Sequence, residues 1–308
     1  MSYNLPIVKL LKHCPLCDSD DNIPVRYERN TFSEDTYDDV SCFRNTWINL
    51  LKCNSCSFRF TKEIPVSPTF FQNRYDNNWF DPEAEISAVR KSEIVDIILS
   101  TIEKYNHNKG MYLDVGSFAG KLLVHAKERG YTPEGIEVNP KLAQYCNEKL
   151  GFKVHNAKFQ EASLNENFYD AITIIDVLEH LEEPKKVLEV LYSALKPDGI
   201  LYIKVPNGRM QMIKQNIANA LKISSAGMFT NFGHINHFGV SSISRVLEQI
   251  GFQVVRIEMA QSEQWGPESR FYQFKNLVRN SYFYLSNICY RFLGLPIGFN
   301  LNVIVTKK

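Results

Sequence analysis

Three sets of residues in this chain have types and spacings that suit chemistry. The first is four cysteines in two C-x-x-C pairs, Cys14 with Cys17 and Cys53 with Cys56. Each such turn aims two thiolates at one point, and two turns supply the closed tetrahedral set of a structural zinc ion. The competing readings are chance and a redox dithiol, but a redox pair belongs beside a βαβ pattern and neither pair has one. The second set is Asp114, Gly116, Ser117, Gly120 and Glu137. Glycines let backbone approach a ligand closely, and a helix N-terminus offers unpaired N–H groups. An acid about 20 residues further on suits a ribose diol, and Glu137 follows Asp114 by 23 positions. The third set is Asp176, Glu179 and His180, followed much later by His234 and His237. Neutral imidazole suits removal of a hydroxyl proton near neutral pH. Substrate contact, a structural role and metal ligation stay open for His234 and His237, and a helix-start role stays open for His180.

These groups need elements to hold them. Residues 111–115 are a short apolar run that suits a buried parallel strand. A glycine turn follows, then a helical segment at 121–129 closed by Gly130, then a strand at 135–138 that carries Glu137. Strand, glycine turn, helix, strand and acid make the nucleotide-binding half of a doubly wound α/β sheet. The spacing Gly116-x-x-x-Gly120 leaves no middle glycine for a pyrophosphate, which weighs against a dehydrogenase. Further helices are expected at 83–105, 141–150, 209–223, 241–250 and 271–293. Strands are expected at 153–155, 168–176, 200–205, 252–259 and 301–305, with a turn at 195–199 and a loop at 231–238.

Asp114-x-Gly116-x-x-x-Gly120 resembles the first motif of the class I S-adenosylmethionine-dependent methyltransferases, D-x-G-x-G-x-G, from which Phe118 departs. A G-S-x-x-G version occurs among zinc-ribbon-bearing methyltransferases of sugar and polysaccharide biosynthesis. Asp176-x-x-Glu179-His180-x-x-x-Pro184 resembles the family's fourth motif, and His234-x-x-His237-Phe238 is similar to an H-x-x-H-[FY] element of the sugar enzymes. The resemblance implies a seven-stranded Rossmann-like sheet whose last strand, 301–305, is antiparallel. It divides the chain into a zinc-ribbon module with its linker, residues 1–75, and a methyltransferase domain, residues 76–308. Helix 83–105 would cap the cofactor, and 156–160 would lie by the adenine. Gly116, Ser117 and Gly120 would shape the methionine pocket near Asp114, Glu137 would take the ribose, and Asp176 and Glu179 would place cofactor and substrate. His237, His180 or His234 would accept the substrate proton. The implied cofactors are S-adenosylmethionine and a structural zinc ion. The implied reaction is O-methylation of a sugar or glycan hydroxyl, free or carried on a nucleotide or lipid. The alternatives are a small phenolic or natural-product acceptor, or a non-catalytic zinc-ribbon binding protein with a degenerate nucleoside fold, for which Phe118 speaks.

At 308 residues there is room for one large domain and a small appendage. A net charge of +1 gives no case for a nucleic-acid partner. No run of 18 apolar residues exists, and residues 1–11 are too short in apolar core for a secretory signal, so a cytoplasmic protein is expected. Seven cysteines, an odd number, argue against a disulfide framework. Cys42 reads as packed core or a spectator, and His13 as a neighbour of the metal site or a surface group. Phe70, Phe71, Tyr75, Trp79 and Phe80 read as a lid over the pocket or as glue between the parts. The aromatic helix 271–293 packs on the sheet or on a second subunit, or faces a lipid carrier or membrane surface. Membrane association is therefore expected to be at most peripheral, and a homodimer is open.

Overall fold

The computed structural model describes residues 8–29, 47–65, 81–87, 89–159, 162–222, 233–261 and 270–307. Cys42 and the aromatic run from Phe70 to Phe80 lie outside the described residues.

The first part is built on the two cysteine turns. In each, the residue after the second cysteine takes a left-handed backbone, Asp18 at φ 59° and Ser57 at φ 62°. Its N–H then bonds back to the first cysteine's carbonyl, at 2.9 Å in both turns. Around them run β1 (Val8–Leu10), β2 (Asn22–Arg29), β3 (Trp47–Cys53), β4 (Arg59–Thr61) and β5 (Glu63–Pro65). β1 pairs with β5, and β2, β3 and β4 form an antiparallel sheet.

The second part opens with α1 (Pro82–Ser87) and α2 (Val89–Tyr105), where one helix was expected. It continues through β6 (Met111–Val115), α3 (Lys121–Glu128), β7 (Thr132–Glu137), α4 (Pro140–Glu148), β8 (Lys153–Asn156) and β9 (Tyr169–Ile175). Next come α5 (Pro184–Ala194), β10 (Leu195–Pro206), α6 (Gly208–Ala220), β11 (Asn236–His237) and α7 (Val240–Ile250). The chain closes with β12 (Phe252–Met259), α8 (Arg270–Leu293) and β13 (Asn300–Lys307). Seven strands form one sheet in the order β12-β13-β10-β9-β6-β7-β8. β13 runs antiparallel to both neighbours, and β6 to β10 are parallel. The expected Rossmann-like α/β sheet with its antiparallel seventh strand is therefore what the chain forms. Strand order reverses on either side of β6, and ligands of such sheets bind in the crevice outside the strands' carboxyl ends there.

Two local expectations change. The turn at 195–199 is a bulge inside β10, where the register against β9 shifts between Leu195 and Ile200 and Asp198 takes φ 62°. The stretch 231–238, expected as a loop, contains β11, and β11 pairs with β4, Asn236 opposite Phe60 and His237 opposite Arg59. A strand from deep in the second part thus completes the sheet of the first. The cores merge as well. Cys14, Leu16, Phe58 and Phe60 belong to the same buried cluster as Leu178, Phe238 and Ile243. The Phe58 and Phe238 ring centroids lie 5.0 Å apart, and each large side chain so buried contributes about 1.5–3 kcal/mol.

One face of α8 packs on the sheet. Asn287 accepts the Met259 N–H at 3.0 Å and donates to the Met259 carbonyl at 3.1 Å, and Tyr282 stacks on Phe299. The opposite face leaves Phe274, Leu277, Leu285, Ile288 and Phe292 more than half exposed. No helix among the described residues is long and apolar enough to cross a membrane.

Candidate active site

Burial of β6 brings the glycine turn to the sheet's carboxyl edge. Tyr112, Leu113 and Val115 are inside the core, and the Gly116 and Ser117 N–H groups bond the Ile136 carbonyl of β7 at 2.8 and 3.1 Å. Gly116, Phe118 and Gly120 have φ of 77°, 50° and 83°. All three glycine positions of the resembled motif are thus left-handed, and Phe118 holds that conformation despite its Cβ. The glycines also clear space for protein. A Cβ on Gly116 would lie 2.4 Å from Val177, and one on Gly120 would lie 3.0 Å from both Cys146 and Leu150. Ser117 turns inward: its Oγ is buried, has no hydrogen-bond partner among the described residues, and sits 2.7 Å from where a Gly135 Cβ would stand. Gly135 is a required glycine that spacing alone did not single out.

Glu137 ends β7 beside this turn. Its Oε2 accepts the Phe118 N–H at 2.8 Å and its Oε1 accepts the Asn139 N–H at 2.8 Å. Burial raises its pKa, while these backbone bonds pull it down. Each oxygen has a second lone pair, so the carboxylate fits a ribose diol while staying anchored. Asn156, in the stretch expected near the adenine, donates to the Glu137 and Val138 carbonyls. Lys121 bonds the Glu85 carbonyl at 3.1 Å, tying α1 to the glycine turn as a cap would require. Asp114 lies beneath the turn, and its Oδ1 accepts the Thr173 hydroxyl at 2.7 Å. Burial pushes its pKa up to about 7, and the Glu137 charge adds to the rise.

The end of β9 delivers the third set. Asp176 takes φ 53° and pairs with the buried Lys204 of β10 at 2.5 Å. A 3-10 turn, Leu178–His180, follows. Glu179 is 1% exposed, and its Oε2 has no hydrogen-bond partner among the described residues. Burial first, and the Asp176 charge second, push its pKa well up. β11 is laced to this turn: the Ile235 N–H bonds the Glu179 carbonyl at 3.0 Å, and Asn236 Nδ2 reaches the Leu178 and Leu181 carbonyls. The lacing sets the His180 and His234 rings edge to face, centroids 4.7 Å apart. One ligand atom each from Glu179, His180 and His234 all lie within 4.8 Å of one another.

His237 stands apart from that trio. It is buried on β11, its Cβ 2.7 Å from where a Gly208 Cβ would stand at the start of α6. Burial, and then the Arg59 charge, lower its pKa to about 3, so it stays neutral but weakly basic. Arg59 itself is depressed by burial and by the neighbouring charge of Arg209. Lys204, Thr173, Arg59 and Asn236 were not read from the sequence, because their partners lie on other elements.

In the first part, Cys14 and Cys56 Sγ are 3.6 Å apart, as are Cys17 and Cys53 Sγ, and all four lie within 4.8 Å of one another. Four thiolates about 2.3 Å from one tetrahedral ion stand about 3.8 Å apart. The donor set fits such an ion.

The family described as a methyltransferase domain matches residues 88–257. The ubiquinone biosynthesis O-methyltransferase of Idiomarina loihiensis is 28% identical over 141 residues, covering 42% of this chain and 56% of that protein. The protein of the same name from Paraburkholderia xenovorans is 26% identical over 138 residues, 42% of this chain and 59% of its own length. The chain thus spans little more than half of these relatives. Haemonchus contortus phosphoethanolamine N-methyltransferase 2, solved with S-adenosyl-L-methionine, has the same fold at a TM-score of 0.52 and 14% identity, over 81% of this chain and 62% of that one. The family match takes in more than half of the residues and spans the strands and turns that build this crevice, and the chain belongs to the methyltransferase-domain family.

Proposed function

We propose that the protein is an S-adenosylmethionine-dependent O-methyltransferase acting on a small-molecule hydroxyl. The observation that carries this reading is one sheet edge, the carboxyl ends of β6, β7 and β9, that gathers the Gly116–Gly120 turn, the anchored Glu137 carboxylate and the Glu179–His180–His234 trio. Gly116, Phe118 and Gly120 shape the backbone around the methionine end, with Asp114 beneath it, and Glu137 takes the ribose. When bound, S-adenosylmethionine supplies a methyl group already activated by its sulfonium. The protein's work is then alignment and proton removal. Asp176 and Lys204 brace the end of β9, and the trio faces the acceptor hydroxyl. Its position between two laced elements favours it over His237 for activating that hydroxyl, since His237 binds a proton only in acid.

For the acceptor, we favour a sugar or glycan hydroxyl whose carrier or substituent is anionic. Arg59 and Arg209 are close enough for charge repulsion, and an anionic group beside them would relieve it. A small-molecule acceptor without sugar is the second reading, favoured by the names of the O-methyltransferase relatives. Structural zinc in the four-cysteine cluster belongs to the same proposal.

Calorimetric titration with S-adenosylmethionine and S-adenosylhomocysteine tests the reading, followed by transfer of labelled methyl to nucleotide sugars and to phenols. Micromolar cofactor binding is expected, weakened about 10–100-fold in Glu137→Ala by loss of charge-assisted hydrogen bonds. Binding of neither compound would sink the enzyme reading and leave the non-catalytic one.

A further inference from the structure

We propose that Glu179, His180 and His234 bind a divalent transition-metal ion, a second metal site distinct from the four cysteines. Ligands 2.0–2.2 Å from one ion lie about 3–4.4 Å from one another, and the three side chains already bring ligand atoms within 4.8 Å. Only a small inward movement separates this arrangement from a coordination sphere.

Glu179 supplies the independent observation. It is 1% exposed, yet Oε2 has no hydrogen-bond partner among the described residues. A buried carboxylate oxygen left so is costly, and a cation between it and the two imidazoles would meet that cost.

The surroundings of His180 agree. Its Nδ1 contacts the Gly233 carbonyl, the kind of outer hydrogen bond that fixes the tautomer of a metal-bound histidine. Gly233 and His234 are sequence neighbours, so the second shell of one ligand positions the other. Two imidazoles and one carboxylate are a borderline-soft set, suited to zinc, iron, cobalt or nickel rather than to magnesium or calcium. Three protein ligands leave positions open, the mark of a working site rather than a structural one. An ion there would bind the acceptor hydroxyl and lower its pKa; that role rests on the methyl-transfer reading, whereas the binding does not.

Cobalt(II) titration of the zinc-loaded full chain is the test. One cobalt per chain is expected beyond the zinc, with visible ligand-field bands and no thiolate-to-cobalt charge transfer. His180→Ala and His234→Ala should each weaken it about 100-fold or more, beyond the cost of losing an outer-shell partner. The isosteric Glu179→Gln should weaken it at least about 10-fold, and keeps the proposal testable if a histidine variant fails to fold. His155→Ala, on an exposed end of β8, should leave cobalt binding unchanged. No cobalt beyond the zinc, cobalt only with thiolate charge transfer, or unchanged affinity in both histidine variants overturns the site. S-adenosylmethionine affinity of the same samples separates the two ideas. Cofactor binding without cobalt sinks the metal and keeps the methyltransferase, and cobalt binding without cofactor does the reverse.

Discussion

Asp114 is fully enclosed on β6, and its carboxyl titrates near 7 because burial, and then Glu137, oppose its charge more than the Thr173 hydroxyl supports it. In the unfolded chain an aspartate titrates near about 3.9. Between the two values the folded state keeps a proton that the unfolded state has lost. Stability therefore falls as pH rises from about 4 to about 7, and the full cost stands above that. Asp114→Asn, which still accepts from Thr173, should stabilise by up to about 4 kcal/mol at pH 8 and by little at pH 4.5. Urea unfolding at both pH values checks this, and an equal gain at both would refute it. Phe118 carries strain of another kind, about 1–2 kcal/mol for a left-handed backbone with a Cβ. The D-x-G-x-F-x-G spelling and the positive φ at residues 116, 118 and 120 show that the motif is a backbone shape, which a phenylalanine meets at a cost.

The elements that were easiest to read are those whose evidence is local. Apolar runs marked β6, β9 and β10, and glycine or proline marked the ends of α3, α4 and α7. Glu137 stood out because a strand end, a glycine turn and an acid fall within one βαβ unit. β11 could not be read that way: two residues have no period, and its partner β4 lies far back in the chain. The approach of His234 to His180 was hidden for the same reason, since only the lacing of β11 to the 3-10 turn brings residues 54 apart together. Asn236 is the knot of that lacing. Asn236→Ala, which removes the side-chain bonds to the Leu178 and Leu181 carbonyls, should cost about 1–3 kcal/mol and lower kcat with cofactor affinity unchanged. A loss of S-adenosylmethionine affinity equal to the loss of kcat would refute this division of labour.

For the whole molecule, the shared core predicts that the cysteine cluster and the seven-stranded sheet unfold together. Metal held by four thiolates contributes on the order of 10–16 kcal/mol in small zinc domains, comparable with the entire stability of an ordinary domain. Cys53→Ser should therefore lower the thermal midpoint of the seven-stranded sheet as well as that of the module, by several degrees or more. Circular dichroism and loss of cofactor binding should fall in one transition; a cofactor site that melts at its original temperature would show two independent units. The pairing of β4 with β11 also puts a delay into biosynthesis. Thr61 leaves the ribosome 175 residues before Asn236, which at 5–20 residues per second is roughly 9–35 s. Throughout that interval the edge of β4 faces the cell without its strand. The nascent chain must hold its first sheet open, and keep it from other edges, until β11 arrives to close it.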